Sequence, residues 1–129
     1  NLLGPLAANA QDLMQRAALV VLGRSTVERQ LAFAHERGWQ HLPFAQTVSD
    51  AYALDFGGLD PEKGWEYPVL AVFHKKGGTV RLFWKGEMTG AMADKGKDPR
   101  GGPDLAPLWT VLDMTPGGRG KDWYPKLEY

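Results

Sequence analysis

The side chains able to do chemistry in this chain are few, and the first finding is an absence. None of the 129 residues is cysteine, which removes thiolate nucleophiles, disulfides and sulfur-ligated metals from the chain itself. Three histidines remain. His35 and His41 stand six residues apart, with Gly38 between them as a helix stop, so they do not form the i, i+4 pair that a helix presents to a metal. His74 sits beside Lys75 and Lys76. No serine, histidine and acid stand at a spacing that suggests a nucleophilic triad. Neither a metal nor another cofactor is expected. Gly117-Gly118-Arg119-Gly120-Lys121 invites comparison with a phosphate-binding loop. Thr115 stands where the first glycine is needed, and Asp122 where Ser or Thr must follow the lysine, so a connector is the better reading. Asp98 and Arg100 flank Pro99 in a long glycine-rich stretch. They read either as a charged pair closing over a groove or as a loop salt bridge worth about 0 to 1 kcal/mol.

The surrounding composition is that of one folded domain spanning residues 1–129. Apolar residues make up 43% of the chain, with five Trp, five Phe and four Tyr, enough for a core. Fifteen basic side chains balance fifteen acidic ones, and no block of five like charges occurs, so nucleic acid is not an expected partner. No apolar run is long enough to span a bilayer, and no membrane association is expected. The chain begins with Asn1 rather than Met, which suggests a processed or truncated start.

The elements that must position these residues alternate between strand and helix. After a helix opened by Gly4-Pro5, Ala18 to Leu22 is a continuous apolar run suited to a strand covered on both faces. Ser25-Thr26-Val27-Glu28 reads as a capping box, with Val27, Leu31 and Ala34 on the inner face of the helix and Gly38 its stop. Leu42 to Gln46 is a weaker strand, and Ser49 to Phe56 a helical turn or two. Gly57 to Glu66 reads as a loop. Pro68 opens a second buried strand, Val69 to His74. Gly77-Gly78 turns the chain into a partner, Thr79 to Trp84, in which Val80, Leu82 and Trp84 share a face. Lys85 to Pro103 is a long loop, of the kind that carries function or moves. Leu105, Leu108, Trp109 and Leu112 have helical spacing, predicting a helix from Ala106 to Met114. Trp84 and Trp109 are expected in the core, with Trp123 and Tyr124 covering a sheet face or edge. The whole is an α/β fold.

Several segments together resemble a bacterial family of uncharacterised thioredoxin-like proteins described as predicted dithiol–disulfide oxidoreductases. They are Arg24-Ser25 through Arg37-Gly38-Trp39, Pro68 through His74, Arg81-Leu82-Phe83-Trp84, Asp98-Pro99-Arg100, and Pro107-Leu108-Trp109 through Met114-Thr115-Pro116 to Trp123-Tyr124-Pro125-Lys126. The resemblance covers nearly the whole chain. It implies a thioredoxin-like three-layer α/β/α sheet, here N-terminally truncated, because the family pattern places a strand and a Cys-x-x-Cys motif just before the first helix. That strand would lie between the two parallel strands read above, so a strand-completing partner or a homodimer is expected. The resemblance also implies that Pro68 is cis, that Tyr67 and Pro68 line a substrate groove for a thiol or disulfide protein, and that the protein is cytoplasmic. The second reading is a non-catalytic binding or assembly module of the same fold, its open sheet edge taking a strand from a partner.

Overall fold

A computed structural model describes residues 2–87, 95–96 and 107–125. Helix α1 (Leu3–Ala8) and helix α2 (Ala10–Met14) come first. They are one helical stretch broken at Asn9, whose backbone leaves the helical region and whose side-chain amide donates to the Pro5 carbonyl at 2.9 Å. Strand β1 (Val21–Gly23) leads into helix α3 (Val27–Glu36) and back to strand β2 (Phe44–Gln46), which pairs with β1 in parallel. The α/β character read from the sequence is therefore present.

Local chemistry sets the bounds of α3. Its cap is Thr26 rather than Ser25: the Thr26 backbone is extended, and its hydroxyl accepts from the Arg29 N–H at 3.4 Å. The Ser25 carbonyl serves instead as an acceptor for the Gln30 side-chain amide at 2.8 Å. At the far end Gly38 takes a positive φ of 65°. The Gly38 N–H donates to the His35 carbonyl and the Trp39 N–H to the Ala34 carbonyl, the paired bonds that close a helix on a left-handed residue.

Helix α4 (Ala51–Asp55) follows, then a small antiparallel hairpin of β3 (Leu59–Asp60) and β4 (Trp65–Glu66) where the sequence suggested only loop. Its turn is held by Asp60, whose Oδ1 accepts from the N–H groups of Glu62 and Lys63 at 3.0 and 3.1 Å. Strands β5 (Val69–Lys76) and β6 (Thr79–Glu87) form a longer antiparallel hairpin. Gly77 and Gly78 both have positive φ, as a two-residue hairpin turn of right-handed twist requires. Helix α5 (Pro107–Asp113) starts on the proline, where a missing N–H costs nothing.

Three two-stranded sheets result, β1–β2, β3–β4 and β5–β6, and among the described residues none pairs with another. With one neighbour each, the strands are not covered as their apolar sequences suggest. Val20 is 53% exposed, and Leu22, Val72 and Phe73 are also exposed. The buried strand expected at Val69 to His74 is half-buried at its start and exposed from Val72 onward. The main core lies between α1, α2 and the β1–β2 pair: Ala7, Ala10 and Leu42 are buried, with Leu3, Leu6, Leu19, Val21, Trp39 and Phe44 packed around them. No helix among the described residues is long and apolar enough to cross a membrane.

The β5–β6 pairing corrects one face assignment. Val72 pairs with Trp84 but Phe73 pairs with Leu82, so Phe83 is an extra residue in β6 and forms a bulge. Neighbouring residues of β5 point to opposite faces, so their partners do too. Trp84 and Leu82 therefore lie on opposite faces, not the shared face that simple alternation predicts. Trp84 is also 38% exposed rather than core. Its ring covers Gly86, two residues on: a methyl built on Gly86 would sit 2.2 Å from the Trp84 ring.

Candidate functional site

The residues that sequence reading singles out are Tyr67, Pro68, Asp98 and Arg100. Tyr67 and Pro68 join β4 to β5 directly, Tyr67 half-buried and Pro68 exposed. Asp98 and Arg100 lie outside the described residues.

No peptide bond among the described residues is cis, so the Tyr67–Pro68 link is trans, which corrects the expected cis proline. The local structure fits the ordinary isomer. Tyr67 continues the β4 ladder, its N–H donating to the Gly58 carbonyl at 2.9 Å, and the chain runs on extended into β5. Gly58 lets this strand come close: a methyl there would stand 3.4 Å from the Tyr67 carbonyl oxygen and 3.5 Å from Val69 Cγ2.

Beside this link is an ion cluster that the sequence reading did not identify. Arg24, just past β1, grips the Asp50 carboxylate with two nitrogens, Nε to Oδ1 at 2.8 Å and Nη2 to Oδ2 at 3.2 Å. Its remaining nitrogen, Nη1, donates to Glu66 Oε1. One guanidinium thus ties the end of β1, the N-terminus of α4 and strand β4, next to Tyr67. The hydrogen bond it donates to Glu66, then the charge of Asp50, holds Arg24 above its ordinary pKa. The planar fork of arginine suits this two-carboxylate geometry, and lysine would not reproduce it. These partners lie 26 and 42 residues from Arg24, too far for a spacing rule to connect them. Only the Arg24-Ser25 pair of the family resemblance pointed to the position.

A second constellation surrounds α5. Trp109 is buried at 3%, and Trp123 and Tyr124 meet its ring edge-on at 5.9 and 6.1 Å. The tail aromatics therefore pack on the helix, not on a sheet face. Arg119 binds Asp113 through both carboxylate oxygens, at 2.8 and 2.7 Å, and its guanidinium lies 5.6 Å from the centre of the Trp109 ring. The glycine-rich connector is thereby pinned to α5 rather than left loose.

The described residues form open clefts. One of about 220 Å³ is lined by Leu112, Gly117, Gly118, Arg119, Gly120 and Trp123. Another, of about 240 Å³, lies between α1 and the end of α3, against Gly4, Ala7, Gly38 and His41. Neither includes Tyr67 or Pro68. His41 carries a positive φ of 65° at the rim of the second cleft. No group of three His, Cys, Asp or Glu side chains able to hold a metal occurs among the described residues.

Compared with known proteins, the chain matches a family model described as "Bacterial protein of unknown function (DUF899)" over residues 2–129. No curated protein and no solved structure matches it.

Proposed function

The chain belongs to this bacterial family of unknown function, and we propose that it forms the distal part of a thioredoxin-like module for thiol–disulfide exchange. The reading rests on one observation above the others. A parallel pair, β1–β2, with helix α3 between its strands, is followed by an antiparallel hairpin, β5–β6, and then by helix α5, and the two sheets are not joined among the described residues. A strand inserted between β1 and β5 would turn these pieces into one run of five neighbouring strands and would satisfy edge N–H and C=O groups on both sides. In this proposal that strand, from a segment or chain other than these residues, brings the cysteine pair. The thiolate sits at a helix N-terminus, where the dipole favours the anion. It attacks a substrate disulfide, releasing one substrate thiolate, and its neighbouring thiol then displaces the mixed disulfide, leaving the pair oxidised and the substrate reduced. Tyr67 and Pro68 border the substrate, and Asp98 and Arg100 are its other candidate contacts. A reducing cytoplasm would return the pair to its dithiol form.

The non-catalytic alternative shares the same geometry: the open edges accept a strand from a partner or a second copy and no sulfur chemistry follows. The absence of cysteine favours this second reading for the chain taken alone. The deciding experiment is an insulin-reduction assay on the natural gene product, after its mass and thiol content are measured. Turnover above a double Cys→Ser control supports the exchange reaction. A product without cysteine, or one no faster than the control, overturns it in favour of the strand acceptor.

A further inference from the structure

The β5–β6 hairpin has two unlike faces. On one lie Val69, Ala71, Phe73 and Lys75, at register positions opposite Glu87, Lys85, Leu82 and Val80. This face turns toward the rest of the molecule: the Phe73 ring meets Phe56 of the α4 end at 5.5 Å, and Val69 packs near Gly58. The other face carries Leu70, Val72, His74 and Lys76, opposite Gly86, Trp84, Arg81 and Thr79. Its half nearer the turn is cationic and its other half apolar.

The charge there is unbalanced. Across the hairpin from Val69 to Glu87 stand four of the fifteen Lys and Arg residues and one of the fifteen Asp and Glu, Glu87 at its open end. His74 stands directly across from Arg81, with Lys76 next on the same face. Lys75, Lys76, Arg81 and Lys85 take part in none of the ion pairs formed among the described residues. All four are exposed. Of these four, Lys76 and Arg81 lie on the outer face, and a cationic pair bordering exposed Trp84 and Val72 is the electrostatic complement of a carboxylate-bearing segment with an apolar side chain.

We propose that this outer face of the hairpin docks an acidic, extended polypeptide segment, its carboxylates against Lys76 and Arg81 and an apolar side chain against Trp84 and Val72. Side chains on alternate residues of an extended segment repeat at about 6.6 Å, the spacing that separates His74 from Lys76 along β5. A second copy of the chain would bring the same cations to the same face. A long polyanion would meet a molecule whose remaining residues carry more acids than bases. Neither is as well matched. The surface needs no cysteine and stands or falls apart from the redox reading.

The test is fluorescence anisotropy of a labelled peptide of about twelve residues alternating Glu with Leu, at low ionic strength. The doubly substituted K76E/R81E chain is expected to bind it about tenfold more weakly or worse. Lys75→Glu lies one residue away on the opposite face and is expected to change affinity less than about twofold, and it controls for any general effect of charge on folding. Binding should weaken as salt rises to about 0.5 M. Equal binding of the same peptide with Gln in place of Glu, equal damage from K75E and K76E/R81E, or tighter binding of a thymidine oligonucleotide would each overturn the proposal.

Discussion

Substituting Gly23, at the end of β1, tests how helix α3 is fastened to its sheet. The Gln30 side-chain amide crosses from α3 and donates from Nε2 to two carbonyls, Ser25 at 2.8 Å and Ala45 of β2 at 3.3 Å. A methyl on Gly23 would fall 2.7 Å from Gln30 Oε1, 2.8 Å from Cδ and 3.0 Å from Nε2. The amide must leave, and both bonds go with it. A net hydrogen bond contributes about 1 kcal/mol, less for the longer one, so Gln30→Ala should cost about 1.5 kcal/mol. Gly23→Ala should cost nearly as much, reduced by about 0.5 kcal/mol because alanine restricts the unfolded chain. With Ala at position 30 the added methyl meets nothing at those distances. The double variant should then be no less stable than Gln30→Ala alone, giving a coupling of about 1 kcal/mol or more. Urea unfolding followed by far-ultraviolet circular dichroism measures all four corners of the cycle. Independent sites add within about 0.5 kcal/mol, so additive losses would refute the placement of the Gln30 amide over Gly23.

Three other outcomes follow from the same structure. Leu42→Ala removes the largest side chain of the buried Ala7–Ala10–Leu42 cluster and should cost about 3 kcal/mol, read as a lowered urea midpoint; a loss below about 1 kcal/mol would mean the core lies elsewhere. Gly86→Val forces the Trp84 ring off the strand, so a red-shifted tryptophan emission is expected relative to a Trp84→Phe background; an unchanged spectrum would contradict the ring's position over Gly86. Asp60 is held below its ordinary pKa, first by the Lys63 N–H, then by the Glu62 N–H and the Lys63 side chain. Its folded pKa being depressed, the contribution is present above the ordinary value of 3.8 and is lost as pH falls through the folded value. Amide exchange at Glu62 and Lys63 should therefore accelerate below about pH 4, and an Asp60→Asn chain showing the same acid transition would assign it to another group.

Much of the local structure was legible because local chemistry decided it. Gly38 stops α3, Gly77-Gly78 turns the hairpin, and Pro107 begins α5, since each requirement is met within a few residues. Two features escaped because they depend on partners distant in the chain. The cap moved from Ser25 to Thr26 while Gln30 engaged the Ser25 carbonyl and reached across to β2. The Arg24 cluster needs Asp50 and Glu66 brought together by two different elements. The segments from Ala18 to Leu22 and Val69 to His74, expected to be covered, are only partly so for a different reason. Apolar sequence states what a strand can bury, and only neighbours determine what it does bury. The cis proline was expected from the resemblance and from the place of Pro68 before an apolar strand, and the link is trans.

The bulge at Phe83 works as a shift of phase. Were β6 to alternate without interruption, Arg81 and Trp84, three positions apart, would project to opposite sides of the ribbon. The one supernumerary residue offsets the count and collects indole and guanidinium on a common side. Excising Phe83 would leave Arg81 and Trp84 two positions apart and so keep them on one side without a bulge, whereas straightening β6 with Phe83 in place would part them.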